Sequence, residues 1–140
     1  MNLHQELPEK LPEKHGNNET PEVGDAATFT VFTDCHACTV VEVKRNGRQL
    51  VLRRNTATLL NAVDSKEEDA LTFEPGGFCG HMSGTQRYTY FENPNGQTHR
   101  VSRRELPNGK IVWKEVGHGT RSPGCSATIG ARYEYYDYNF

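Results

Sequence analysis

Two histidines sit in the segments of this chain that are richest in reactive side chains. His36 lies in Asp34-Cys35-His36-Ala37-Cys38, and His81 lies in Gly76-Gly77-Phe78-Cys79-Gly80-His81-Met82-Ser83-Gly84. Two imidazoles can divide the work of general acid and general base near neutral pH. In that reading His36 and His81 are the catalytic pair, and no metal is needed. His81-Met82-Ser83 carries a hydroxyl two residues after its imidazole. His36-Ala37-Cys38 lacks one at that position, although Thr39 follows. The plainer alternative is that each imidazole bonds the backbone of its own loop.

The same segments offer sulfur. Cys35 and Cys38 are spaced Cys-x-x-Cys, and Cys79 with His81 adds Cys-x-His. Four such ligands suffice for tetrahedral zinc. The spacing argues against it. Cys38 begins a strand in which alternation points it with Val40, no glycine turn separates the first pair, and the second pair is irregular. Free thiols are therefore expected, with no metal and no cofactor.

A third chemistry is ligand binding. Glycines around Phe78 let backbone N–H groups approach an anion closely. Arg53, Arg54, Arg87, Arg100, Arg103 and Arg104 can supply charge-assisted contacts to a phosphate. Tyr88, Tyr90, Tyr135, Tyr136 and Tyr138 can stack on a base. Strand alternation divides the arginines between two faces, so they cannot all serve one site. The expected ligand-binding set is His36, Gly77, Phe78, His81, Ser83, Arg54, Arg87, Tyr136, Asp137 and Tyr138. The competing roles are core and edge packing for the aromatics and edge protection for the arginines.

The elements that must position these residues read as short strands. Residues 26–33 are rich in Thr, Val and Phe, and residues 37–44 and 49–55 flank Asn46-Gly47, a strong hairpin signal. Thr39, Val41 and Val43 are expected on one face, and Leu50 with Leu52 on one face of the returning arm. Residues 61–70 read as a polar loop and 71–73 as a brief strand. Residues 87–92 and 97–104 flank Asn93-Pro94-Asn95-Gly96 as a second hairpin, and Pro107-Asn108-Gly109 turns into residues 110–116 as a third. Residues 126–133 make a last strand. No long amphipathic helix is read. Seven or so strands joined by tight turns predict an all-β fold, a small SH3-like barrel or a compact β-sandwich.

Ahead of that domain, residues 1–22 hold the tandem Leu7-Pro8-Glu9-Lys10 and Leu11-Pro12-Glu13-Lys14. Prolines block a helix and large apolar residues are few, so a disordered tail is predicted. The domain is expected to span residues 23–140. The whole chain of 140 residues carries a net charge of -2 and a mean hydropathy of -0.77. Five glutamates against two lysines place the negative excess in the tail. The remainder is nearly neutral, which is not the footprint of a protein that grips nucleic acid by phosphate contacts alone. No apolar run reaches membrane-spanning length and no secretory leader is read, so a reducing compartment is expected.

Taken together, the Asp34-Cys35-His36-Ala37 strand, the Gly76-Gly77-Phe78 to His81 loop and the closing Tyr135-Tyr136-Asp137-Tyr138-Asn139-Phe140 resemble a family of small phage-encoded β proteins. The resemblance covers residues 23–140 and implies a phage source. It directs attention to His36, His81, Asp137 and the flanking tyrosines, and it implies no particular activity.

The expected function is that of a phage-associated, non-enzymatic binding module in the host cytoplasm. It would sequester a small anionic, nucleotide-type ligand or block a host protein. One alternative is a capsid decoration protein in the virion, whose tail orders on a neighbouring subunit or a second copy. The other is a metal-independent phosphodiesterase of the two-histidine type, in which the His-x-Ser element recurs.

Overall fold

The computed structural model describes residues 9–74, 81–116 and 125–137. Their order is β1 (Ala26–Val31), β2 (Asp34–Lys44), β3 (Gln49–Arg54), β4 (Thr56–Leu59), β5 (Thr72–Glu74), β6 (His81–Ser83), β7 (Tyr88–Phe91), β8 (Thr98–Glu105), β9 (Ile111–Glu115) and β10 (Cys125–Ile129). The fold is all-β. Six strands close a barrel in the order β1–β10–β9–β8–β3–β2, and every neighbouring pair is antiparallel. Chain neighbours are barrel neighbours once residues 55–97 are set aside. The barrel is therefore a simple up-and-down meander with an insert between β3 and β8. Closure leaves the barrel no free edge. Among the described residues no helix is long and apolar enough to cross a membrane.

Alternation fills the barrel. Ala27 and Phe29 face in from β1, Cys38 and Val40 from β2, Leu50 and Leu52 from β3. Val101, Trp113, Ala127 and Ile129 complete the apolar core. Each large member contributes about 1.5–3 kcal/mol by leaving water. A bulge between Val40 and Glu42 shifts the β2 register. Val43 consequently packs against the same core as Cys38 and Val40, whereas Thr39 lies on the opposite face. The expected grouping of Thr39, Val41 and Val43 fails because an extra residue breaks the period of two.

Two turns behave as their residues predict. Arg45, Asn46 and Gly47 all take positive φ, at 51, 56 and 86°, and β2 pairs with β3 through them. Gly109 at φ 83° turns β8 into β9. The segment Asn93-Pro94-Asn95-Gly96 does not make a hairpin. β7 pairs with β4, and β8 pairs with β3 and β9. The β3–β4 and β7–β8 runs form one long antiparallel ribbon, and residues 92–97 bulge out of it. Gly96 is required there, because a Cβ would lie 2.1 Å from the Arg54 carbonyl oxygen. The last strand also ends early, at Ile129, where Gly130 turns at φ 104°.

The insert has its own polar centre. Asn61, fully buried, donates from Nδ2 to the carbonyls of Asp69 and Thr85 and accepts from the Arg87 N–H. That one amide ties the 61–70 loop to the strands around it.

Part of the leader is built into the domain. Residues 1–8 lie outside the described residues, but the backbone of residues 10–15 pairs with β7 and with residues 130–132. The Leu11 N–H donates to the Tyr90 carbonyl at 2.8 Å, and the His15 N–H to the Gly130 carbonyl at 3.0 Å. Buried Arg132 donates to the Pro12 carbonyl, to Asn55 Oδ1 and to Thr39 Oγ1, at 2.7, 2.9 and 2.7 Å. Proline forbids a helix here, yet extended backbone is what a sheet edge can bind. Gly16 then turns the chain at φ 102° directly over Asp25, whose Oδ2 accepts the Glu22 N–H at 2.8 Å.

Candidate functional site

One end of the barrel carries a polar layer. The meander brings the ends of β1, β3 and β9 and the starts of β2, β8 and β10 to the same end. His36 is opposite Phe29, Arg54 opposite Cys38, and His99 opposite Leu52. Each therefore follows the inward alternation of the core, one layer above it.

His99 is the floor of this layer. It is buried, and its ring stacks on Phe29 at 3.9 Å with the planes 7° apart. The Arg54 Nε–H donates to His99 Nε2 at 3.0 Å, so the ring proton belongs on Nδ1. Burial pushes the His99 pKa down to about 4, and the Arg54 guanidinium adds to that shift. The imidazole is neutral at pH 7 and accepts from a cation.

The wall beside it comes from the C-terminal segment. β3 leaves the barrel wall at Asn55, and residues 134–136 take up the edge of β2 that it vacates. Cys35 and Tyr135 exchange backbone hydrogen bonds of 2.9 Å each. That pairing places Glu134 beside His36. Glu134 Oε1 accepts the Ala37 N–H at 2.8 Å, and Oε2 lies 3.1 Å from His36 Nδ1. The Glu134 N–H in turn reaches the Tyr90 hydroxyl at 3.2 Å. The His36 and Glu134 side chains are 21% and 18% exposed, so the dyad is mostly buried and partly reached by solvent.

Above the dyad is a rim. Asp34 Oδ1 accepts the Asp137 N–H at 2.8 Å. Val31, Phe32, Thr33, Asp34, Tyr136 and Asp137 line an open cavity of about 350 Å³. Phe32 forms the turn between β1 and β2 with φ 55° and is 77% exposed. Tyr136, across the cavity, is 42% exposed.

The arginines separate as alternation requires. Arg53 pairs with Glu92 at 3.0 Å, and Arg87 with Asp69 at 2.9 Å and Glu67 at 3.2 Å. Arg132 is consumed by the leader, and Arg100, Arg103 and Arg104 are exposed on β8. Arg54 is half-buried, and among the described residues no carboxylate pairs with it. Its two terminal amino groups have no hydrogen-bond partner among those residues.

Of the residues expected at a ligand site, His36, Arg54, Tyr136 and Asp137 come to this end. Ser83 and Arg87 line a different cavity, of about 430 Å³, in the insert. Gln86 joins the two regions. It lines the insert cavity, donates to the Tyr136 carbonyl at 2.6 Å and accepts the Tyr136 N–H at 3.0 Å. Gly77, Phe78, Cys79, Tyr138 and the His81 side chain lie outside the described residues. The His81 backbone pairs with Glu74.

The sequence reading missed His99, Glu134, Phe32 and Gln86. His99 was within reach, since Thr98-His99-Arg100-Val101 alternates and Val101 marks the inward face. Glu134 carries no such signal.

The zinc set does not assemble from its first pair. By alternation Cys35 and Cys38 face opposite sides of β2. Cys38 is fully buried, and desolvation pushes its thiol up to about 12. A protonated core thiol is not a metal ligand. Cys35, Cys38 and Cys125 are free thiols. No protein-family model matches this chain, and no curated protein or solved structure matches it either.

Proposed function

We propose that this chain is a non-enzymatic binding module that takes a small anionic ligand at the polar end of its barrel. The observation that carries this reading is Arg54. Arg53 and Arg87 are neutralised by carboxylates, Arg132 is consumed by the leader, and Arg100, Arg103 and Arg104 are exposed on β8, whereas Arg54 is half-buried, is held by a neutral histidine and keeps its charge available. A guanidinium partly withdrawn from water and oriented by one fixed bond loses little entropy on meeting an oxyanion. His36 adds a second group with its Nε2 end left for the ligand, since Nδ1 is taken by Glu134. Barrel mouths are frequent sites for small ligands.

Among the described residues, the thiol nearest His36 in the chain on the inward face is Cys38, and it is not held as a nucleophile. The Cys38 thiol donates to the His36 carbonyl at 3.4 Å rather than to its imidazole, and it is the un-ionised form. The resemblance to small phage-encoded proteins favours the host cytoplasm for such binding and adds no particular activity. The leader supports the virion role less, because residues 10–15 already bind their own domain.

Isothermal calorimetry against cyclic and linear nucleotides tests the reading. Wild-type protein should release heat with at least one of them, and Arg54→Met should abolish it while the thermal transition is kept. No heat with any of the panel removes the proposal. Product formation that disappears in His36→Ala would favour the phosphodiesterase instead.

A further inference from the structure

We propose that the rim cavity between Phe32 and Tyr136 receives the planar ring of the ligand, and that the ligand carries a single negative charge. This deepens the binding reading above and rests on it.

Phe32 is the first observation. It occupies a turn position at φ 55°, where a bulky side chain is disfavoured and glycine or asparagine is the ordinary choice. It is also 77% exposed, so burial does not offset that strain. An exposed aromatic held in a costly conformation has no role in this fold's own core. Such strain recurs where a ligand is clamped.

The cavity is the second. Its volume, about 350 Å³, is at the small end of the range for ligand pockets and suits one bicyclic ring. Phe32 and Tyr136 contribute to its lining with Val31 beneath. Asp34 in the same lining offers a carboxylate to ring N–H donors. Val31 and Asp34 follow the inward alternation of Phe29 and His36, so the cavity lies one layer beyond His36 and two beyond Cys38, the partner of Arg54, about 13 Å along β2.

Charge is the third. Arg54 is the inward-facing cation of this end and has no carboxylate paired with it among the described residues, while Asp34 and Glu134 hold the backbone N–H groups of Asp137 and Ala37 nearby. One arginine balances one anionic group. A di- or triphosphate would meet uncompensated repulsion. A purine cyclic mononucleotide has the required ring and the single charge.

The probes are cyclic GMP, guanosine, GTP and inorganic phosphate, measured by calorimetry on wild type, Phe32→Gly and Arg54→Met. Cyclic GMP should bind wild type more tightly than GTP. Phe32→Gly should weaken cyclic GMP about tenfold, the size of one lost base–aromatic stack, and leave phosphate affinity unchanged. Glycine suits φ 55°, so this variant should also melt at a higher temperature, which separates lost stacking from lost folding. Equal cyclic GMP affinity in wild type and Phe32→Gly overturns the inference, as does a preference for GTP. If guanosine binds and Arg54→Met has no effect on any probe, the anion reading fails instead. If no probe binds, both fail.

Discussion

Arg54 and His99 form a cation–imidazole pair in which the imidazole is the acceptor, at 3.0 Å. Two forces keep His99 neutral. Desolvation is the larger, because the ring is buried flat against Phe29, and the Arg54 charge is the next. The pair therefore holds a positive charge at the barrel end, and among the described residues no carboxylate forms an ion pair with it.

That pair makes stability depend on pH. The His99 pKa falls from an ordinary 6.5 to about 4 on folding. Between those values the unfolded chain binds the proton and the folded chain does not. The stabilisation is complete above pH 6.5 and is lost as pH falls toward 4, by up to about 3 kcal/mol. Urea midpoints at pH 7.5, 6, 5 and 4 should fall through this window. His99→Phe, which keeps the stack, should fall less steeply. Equal slopes for the two proteins would contradict the assignment.

Glu134 is the hinge between the C-terminal segment and β2. Glu134→Ala strands the buried-side Ala37 N–H and releases His36 Nδ1. A loss of about 1–3 kcal/mol is expected in denaturant melts. Glu134→Gln keeps a carbonyl oxygen for Ala37 and should recover part of that loss.

Gly16 locks the leader onto the domain. At φ 102° a Cβ would be strained, and it would lie 2.2 Å from Asp25 Cγ. Gly16→Ala should cost about 2 kcal/mol. It should also expose residues 10–15 to limited proteolysis, read by mass spectrometry, that the wild-type chain resists. Unchanged cleavage would mean that the leader is anchored elsewhere.

Cys38 should be chemically silent. Its thiol is fully buried and pushed up to about 12, so almost no thiolate exists at pH 8. Iodoacetamide at that pH should leave Cys38 unlabelled in the folded protein and label it in urea. Peptide mapping distinguishes it from Cys35, which faces the other side of β2.

The sequence by itself determined what depends on near neighbours. Alternation fixed the all-β class and the inward face of β3, with Leu50 and Leu52. Asn46-Gly47 and Asn108-Gly109 marked two real turns, because positive φ is a local property. It also marked His36 and Arg54 as residues of interest. The tertiary structure alone decided which of these meet. Asn93-Pro94-Asn95-Gly96 carries the same turn chemistry as the true hairpins, yet it bulges, because the strands beside it find other partners. The bulge near Val41 reversed an alternation that looked regular. Leu11-Pro12-Glu13-Lys14 reads as a solvated leader, and only buried Arg132 and the exposed edge of β7 make it part of the domain. Glu134 is 98 residues from His36 in the chain, so nothing local could pair them. The polar end of the barrel is legible only after closure, because closure is what brings six strand ends, distant in sequence, into one ring.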